Sequence, residues 1–220
     1  MRSVLDARGI HGVIVAPLVD EAVGIDFDFT NLVAVGLGMS LSRPLIERVS
    51  SDHFQSCALA VRQCAGLGYR RIGFVLSESI SVRLEHRWLG GYASQILRTW
   101  GVAKLPPLLL PVQSDHALLN AWLRKHRPDV VIMGDSDDKL IALLPPEVGL
   151  VQLNVASADG PDTGIFQNSR LIGRNIVERV ISRLYTNDFS RPDEAIVHLV
   201  AGRWAPGKTA PGPGRMHAVP

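Results

Sequence analysis

The sequence predicts an α/β fold built around parallel strands, and three observations carry that expectation. Short apolar runs alternate with longer stretches of helical period along most of the chain. The runs are rich in β-branched and aliphatic residues, as in strands covered on both faces. With 46% hydrophobic and 20% charged residues in 220, the composition is that of a globular protein with an ordinary core.

Strands are expected at Gly12–Pro17 (GVIVAP), Leu32–Val35, Arg71–Leu76 (RIGFVL), Leu108–Leu110, Val130–Met133, Gly149–Leu153 and Ala195–Val200. Between them, the segment Phe54–Ala65 places Cys57, Ala58, Val61 and Cys64 on one side of a helix, which Gly66 and Gly68 then stop. Further helices are expected at Leu84–Thr99, Asp115–Lys125, Asp137–Leu144 and Ser169–Tyr185. The last sets an apolar stripe (Leu171, Ile172, Ile176, Val180, Ile181, Leu184) against Arg170, Arg174, Glu178, Arg179 and Arg183. Pro106-Pro107, Pro145-Pro146 and the stretch 156–164 punctuate the chain, and the Pro- and Gly-rich end, 206–220, reads as a flexible tail.

Charge and cysteine usage narrow the function classes. The net charge of +2 offers no broad basic field for gripping phosphates, so the chain by itself is not an obvious nucleic-acid binder. Cys57 and Cys64 lie two helical turns apart, about 10 Å, too far for a disulfide. They read as buried reduced thiols of a cytoplasmic protein. The N-terminal stretch carries Arg2, Asp6, Arg8 and His11 ahead of a short apolar run, which suits neither a signal peptide nor a membrane span.

Enzyme signatures fail one by one. Gly36-Leu-Gly38 follows a strand, but position 41 is Leu where a dinucleotide-binding fingerprint needs its third glycine. There is no GxSxG elbow, no GxxxxGK[ST] loop and no HExxH, and the seven histidines are scattered singly. No catalytic residue, metal site or cofactor is expected.

Polar residues at the carboxyl ends of the expected strands are more informative, because open α/β sheets hold their ligands along that edge. Asp52, Asp135, Asn154 and Gln167-Asn168 fall there or at the start of the next helix. The bland reading makes Asp52, Asp135 and Asn168 helix N-caps. The functional reading makes the group a polar pocket, since carboxylates and amides match the acceptors and donors of sugar hydroxyls. Arg83 and Arg87, four apart with Trp88 adjacent, would share a helix face: either a solvated charged face, or a bidentate arginine reaching the crevice.

The order of these stretches resembles the effector-binding core of the LacI family of bacterial transcription regulators, which is similar to periplasmic sugar-binding proteins. The matching segments are 8–17 (RGIHGVIVAP), Val49-Ser-Ser-Asp52, 67–74 (LGYRRIGF), 87–92 (RWLGGY), 127–135 (RPDVVIMGD), 149–154 (GLVQLN), 163–167 (TGIFQ) and 171–173 (LIG). The resemblance implies a two-lobed fold of the type I periplasmic-binding-protein kind, with a small effector, most often a sugar, in the cleft. It makes Asp52 the hinge aspartate that binds effector hydroxyls and Arg87 the arginine of an R-x-x-G pattern. Because Gly90-Gly91-Tyr92 carries one glycine more than that pattern, Arg83 or Trp88 is the alternative cleft-facing residue. Asp135 stands where the family has Asn, Asn154 where it often has Asp, and Gln167 at the return crossing; exchanging amide for carboxylate changes which hydroxyls are read.

On this resemblance the lobes divide as 1–52 (N-terminal lobe, partial), 53–160 (C-terminal lobe), 161–190 (return to the first), 191–205 (return to the second) and the tail. The operator-reading helix-turn-helix headpiece has no counterpart in these residues, and the N-terminal lobe would lack the strands in the middle of its sheet. Exposed sheet edges there would be unstable or recruit a partner. The function implied is a cytoplasmic sugar-sensing core, a homodimer that meets operator DNA only through a headpiece and does not meet membranes. The alternative is a stand-alone small-molecule binding module without DNA contact.

Overall fold

The computed structural model describes residues 2–18, 24–111, 115–134 and 137–213. The elements in chain order are α1 (Arg2–Ala7), β1 (Gly12–Val15), β2 (Val33–Leu37), β3 (Glu47–Ser51), α2 (His53–Gly66), β4 (Ile72–Ser77), α3 (Glu78–Arg83), α4 (Arg87–Arg98), β5 (Leu108–Leu110), α5 (His116–His126), β6 (Val130–Met133), α6 (Asp138–Ile141), β7 (Gly149–Gln152), β8 (Gly164–Phe166), α7 (Ser169–Tyr185), β9 (Val197–Val200) and β10 (Arg203–Ala205). They form two compact units, residues up to Ser51 with Asn168–Val200, and Asp52–Gln167 with the chain from Ala201 onward.

The first unit holds a parallel sheet in the order β1-β2-β3-β9. One face packs Val35 and Val49 against Ile172 and Ile176 of α7, which is the apolar stripe read from the sequence. The other face is covered by non-helical chain, with Phe29, Leu41 and Ile46 lying over Ala34. These four strands are contiguous, so the sheet has no gap at its middle. What it has is an edge at β1, where Ile14 is 46% exposed. The expectation, implied by the resemblance, of strands missing from the middle of this sheet is not met, because β3 pairs with both β2 and β9 and joins the strands into one run.

An ion cluster holds β3, α7 and β9 together. The buried Glu47 carboxylate accepts from Arg179 Nε and contacts His198 Nε2, both at 2.5 Å, with Arg183 Nη1 at 3.9 Å. Arg183 is also buried and is shared with Asp188 at 3.0 Å. A buried carboxylate is tolerable only with such partners.

In the second unit the sheet runs β10-β8-β7-β6-β4-β5, parallel except for β10, which is antiparallel to β8. Fully buried strands alternate between two cores. Ile72, Phe74 and Leu76 of β4 face Cys57, Val61, Cys64 and Tyr92 on α2 and α4. Val75 joins Leu119, Trp122 and Met133 on the side of α5. The thiols are free and buried as expected, and burial pushes both well above the usual cysteine range.

Three sequence expectations change here. The helix expected at Leu84–Thr99 starts only at Arg87, as α4, because Glu85 and His86 take the left-handed conformation (φ 52° and 55°), and a separate short helix, α3, precedes that turn. The fold holds that turn by His86 N donating to Ser81 O at 2.7 Å and by a Ser81 Oγ···His86 Nδ1 contact of 2.9 Å. The helix expected at Asp137–Leu144 contracts to α6, four residues. And 206–213 is packed, not a loose tail: Leu150 N donates to Thr209 O (2.8 Å), Thr163 N to Thr209 Oγ1 (2.9 Å) and Gly212 N to Tyr69 Oη (3.1 Å), while Ala210 is buried.

Candidate functional site

Parallel strands put their carboxyl ends on one edge, so in the second unit the residues following β6, β7 and β8 share that edge with the N-termini of α2 and α4. Asp52, Trp88, Asn154 and Gln167 all belong to it. Asp135 and Ser136 lie outside the described residues.

Asp52 precedes α2 and caps it, its Oδ1 accepting from Gln55 N at 3.0 Å. Asn168 likewise caps α7 from φ 55°, accepting from Leu171 N at 3.3 Å. The capping reading therefore holds for both, and at Asp52 the second carboxylate oxygen lies outside that bond. Gln167 donates from Nε2 to Leu153 O at 2.8 Å, tying the end of β8 to that of β7. Asn154 is exposed beside it.

The arginines are not a pair on one helical face. Arg83 ends α3, and Arg87 begins α4 on the far side of the left-handed turn. Arg87 forms a salt bridge from Nη2 to Glu85 Oε2 at 2.9 Å and leaves about a third of its side chain exposed. The glycine doublet decides which side chain turns inward. A Cβ on Gly91 would stand 2.3 Å from Phe54 O of α2, whereas one on Gly90 would meet only the Phe54 ring at 3.5 Å. Gly91 is thus the position where α4 must be glycine, and three residues before it stands Trp88, buried. The indole lies against the end of β6, where a Cβ on Gly134 would be 3.0 Å from Trp88 Cζ3.

Sequence reasoning missed His53. It is 7% exposed and meets Trp88 edge to face, with ring centroids 5.1 Å apart. Burial, with Arg87 adding repulsion, pushes its pKa down to about 4. The signal available was its place directly after the candidate aspartate Asp52, at a helix start. Among the described residues, no group of three or more His, Cys, Asp or Glu is placed to hold a metal ion, and no helix is long and apolar enough to cross a membrane.

No protein-family model matches the chain, and neither does any curated protein sequence. Solved structures do. A LacI-family transcriptional regulator from Enterococcus faecium with bound ribose superposes with a TM-score of 0.65 at 19% identity, over 94% of this chain and 82% of that one. The transcriptional regulator CelR in complex with cellobiose gives 0.65 at 17% identity over 94% of this chain and 68% of its own. A LacI transcriptional regulator from a Rhodococcus species gives 0.62 at 15% identity over 96% and 81%. At these identities the likeness is one of fold: parallel sheets flanked by helices in the two-lobed, periplasmic-binding-protein-like architecture of the LacI-type regulators.

Proposed function

We propose that this chain is the effector-binding core of a LacI-type transcriptional regulator and that its effector is a sugar. The observation that carries the reading is the carboxyl edge of the second unit's sheet, where Asp52, Asn154 and Gln167 gather acceptors and donors beside the buried Trp88. That is the donor and acceptor set hydroxyl groups need, backed by an aromatic plane. The fold likeness to regulators solved with ribose and cellobiose supports the ligand class.

In this reading the protein is a ligand sensor and not an enzyme. An effector that binds one arrangement of the two units more tightly than another shifts their equilibrium, and a homodimer passes the shift to a DNA-binding headpiece outside these residues. Asp135, Arg83 and Arg87 complete the proposed ligand set, with Arg87 entering only by leaving Glu85.

The test is a thermal-shift and calorimetric titration of the purified chain with pentoses, hexoses and disaccharides, ribose and cellobiose included. A saturable rise in melting temperature with one of them is expected. Asp52→Asn, which keeps a capping oxygen, should weaken binding about tenfold while leaving the ligand-free melting temperature near wild type. If none of these sugars shifts the unfolding transition, the sugar-sensing reading fails.

A further inference from the structure

The second unit contains a cavity of about 340 Å³ that takes no part in the candidate site. Ile141 and Leu144 line it from the end of α6 and the turn after it, Val148 and Leu150 from the approach to β7, and Lys208 and Pro211 from the closing segment. Leu150 is near the start of β7 and Asn154 follows its end, so the cavity and the candidate ligand edge lie about 13 Å apart along the strand. The volume falls at the lower end of the range of small-molecule sites, about 300–1,000 Å³.

The walls select the ligand. Pro145, Pro146 and Pro211 have no N–H to donate, and the amides of Leu144, Val148, Leu150 and Lys208 are all bonded to backbone carbonyls. The lining hydroxyl of Thr209 is engaged twice, donating to Leu150 O and accepting from Thr163 N. Such a wall suits methylene or aryl groups far better than sugar hydroxyls. Lys208 is the exception: it is exposed, and among the described residues its ammonium has no ion-pair partner. Glu147, flanked in sequence by lining residues, is exposed and does not belong to the wall.

We propose that this cavity is a second binding site, for a small amphipathic monocarboxylate whose apolar chain enters it and whose carboxylate stays at the mouth with Lys208. A single ammonium balances a single negative charge, which favours a carboxylate over a phosphate dianion. Because the lysine is solvated, the ion pair contributes little, and burial of the chain supplies most of the affinity. A ligand seated there touches both the turn after α6 and the closing segment, and so adds to the bonds that fasten Thr209 to β7.

The experiment is calorimetry and thermal melting of the chain with hexanoate, octanoate and decanoate below micelle-forming concentrations, with octanamide and octylamine as neutral and cationic counterparts. Affinity is expected to rise about fourfold per methylene until the cavity is full and then to level off. Octanamide should bind about threefold more weakly than octanoate, and Lys208→Gln should erase that difference while leaving sugar titrations unchanged. Leu144→Trp, which fills the cavity, should abolish binding at an unchanged circular dichroism spectrum. Should it fail to fold, Pro211→Trp carries the comparison from the closing segment's wall. Absence of saturable binding at millimolar octanoate, or binding undiminished in the filling variant, would overturn the proposal. Octanoate binding that weakens as protein concentration rises and the chain self-associates would overturn it too, since a second copy then covers the cavity. Octylamine binding as tightly as octanoate would overturn the carboxylate assignment. None of these outcomes bears on the sugar-sensing reading, which stands or falls on its own titration.

Discussion

Asp52 is a helix cap that is also a candidate ligand contact. Its Oδ1 caps α2, and replacing it with Ala would cost about 1 kcal/mol of stability before any ligand is considered. The sequence marks the residue as a cap, because an acidic residue directly before a helical period carries that signal. His53 next door was not legible. A histidine's burial depends on what lands beside it, and Trp88 is 35 positions further along the chain. The same burial makes a pH prediction. The unfolded chain protonates His53 near its ordinary 6.5, whereas the folded chain resists protonation until about 4, with Arg87 opposing the charge and Asp52 favouring it. Between those values the unfolded state binds the extra proton, so stability falls as pH falls, by about 3 kcal/mol in total from this group. Urea unfolding measured from pH 7 to 4 should show that loss in wild type, and a correspondingly flatter profile in His53→Phe.

At the scale of elements, strongly periodic helices and apolar strands were readable, and strands without an apolar run were not. α2, α5 and α7 fall within a residue or two of their expected bounds, since each carries a capping Asp or Asn and an apolar stripe. β3 escaped because its sequence, ERVSS, is polar: its Glu47 is buried against Arg179, Arg183 and His198, from segments more than a hundred positions away. β8 (GIF) and β10 (RWA) are three residues each and, unlike the all-leucine β5, carry no apolar run to register. The break between α3 and α4 lacks Gly or Pro in SVRLEHRW, so its left-handed turn belongs to the tertiary fold. The doublet Gly90-Gly91 was visible, but only the approach of α2 distinguishes the two. Gly91→Ala should therefore destabilise the protein by about 2 kcal/mol while Gly90→Ala stays near neutral, a contrast to be read from thermal melts of the two variants.

On the scale of the whole molecule, each unit is sewn from segments distant in sequence: α7 and β9 return to the first, and 201–213 returns to the second. The closing segment is part of the second unit's framework. Thr209 bridges β7 to Thr163, its Oγ1 donating to Leu150 O at 2.8 Å and accepting from Thr163 N at 2.9 Å. A chain ending at Ala205 should lose about 3 kcal/mol or more, measured as a lower denaturation midpoint, because the Leu150 and Thr163 amides and the pocket around Ala210 all lose their partners.

The sequence by itself determined the α/β class, most strand and helix positions, the buried thiols and the ligand-edge candidates Asp52, Asn154 and Gln167. These follow from local periodicity, capping chemistry and the rule that strand ends carry the site. Only the tertiary structure decided which of Arg83, Arg87 and Trp88 turns inward, that His53 is buried and uncharged, that ERVSS is a central strand, and that a Pro- and Gly-rich end is fastened to a sheet. Those outcomes depend on contacts between residues far apart in the chain, where burial, close backbone approach and charge pairing are set by the neighbour and not by the residue.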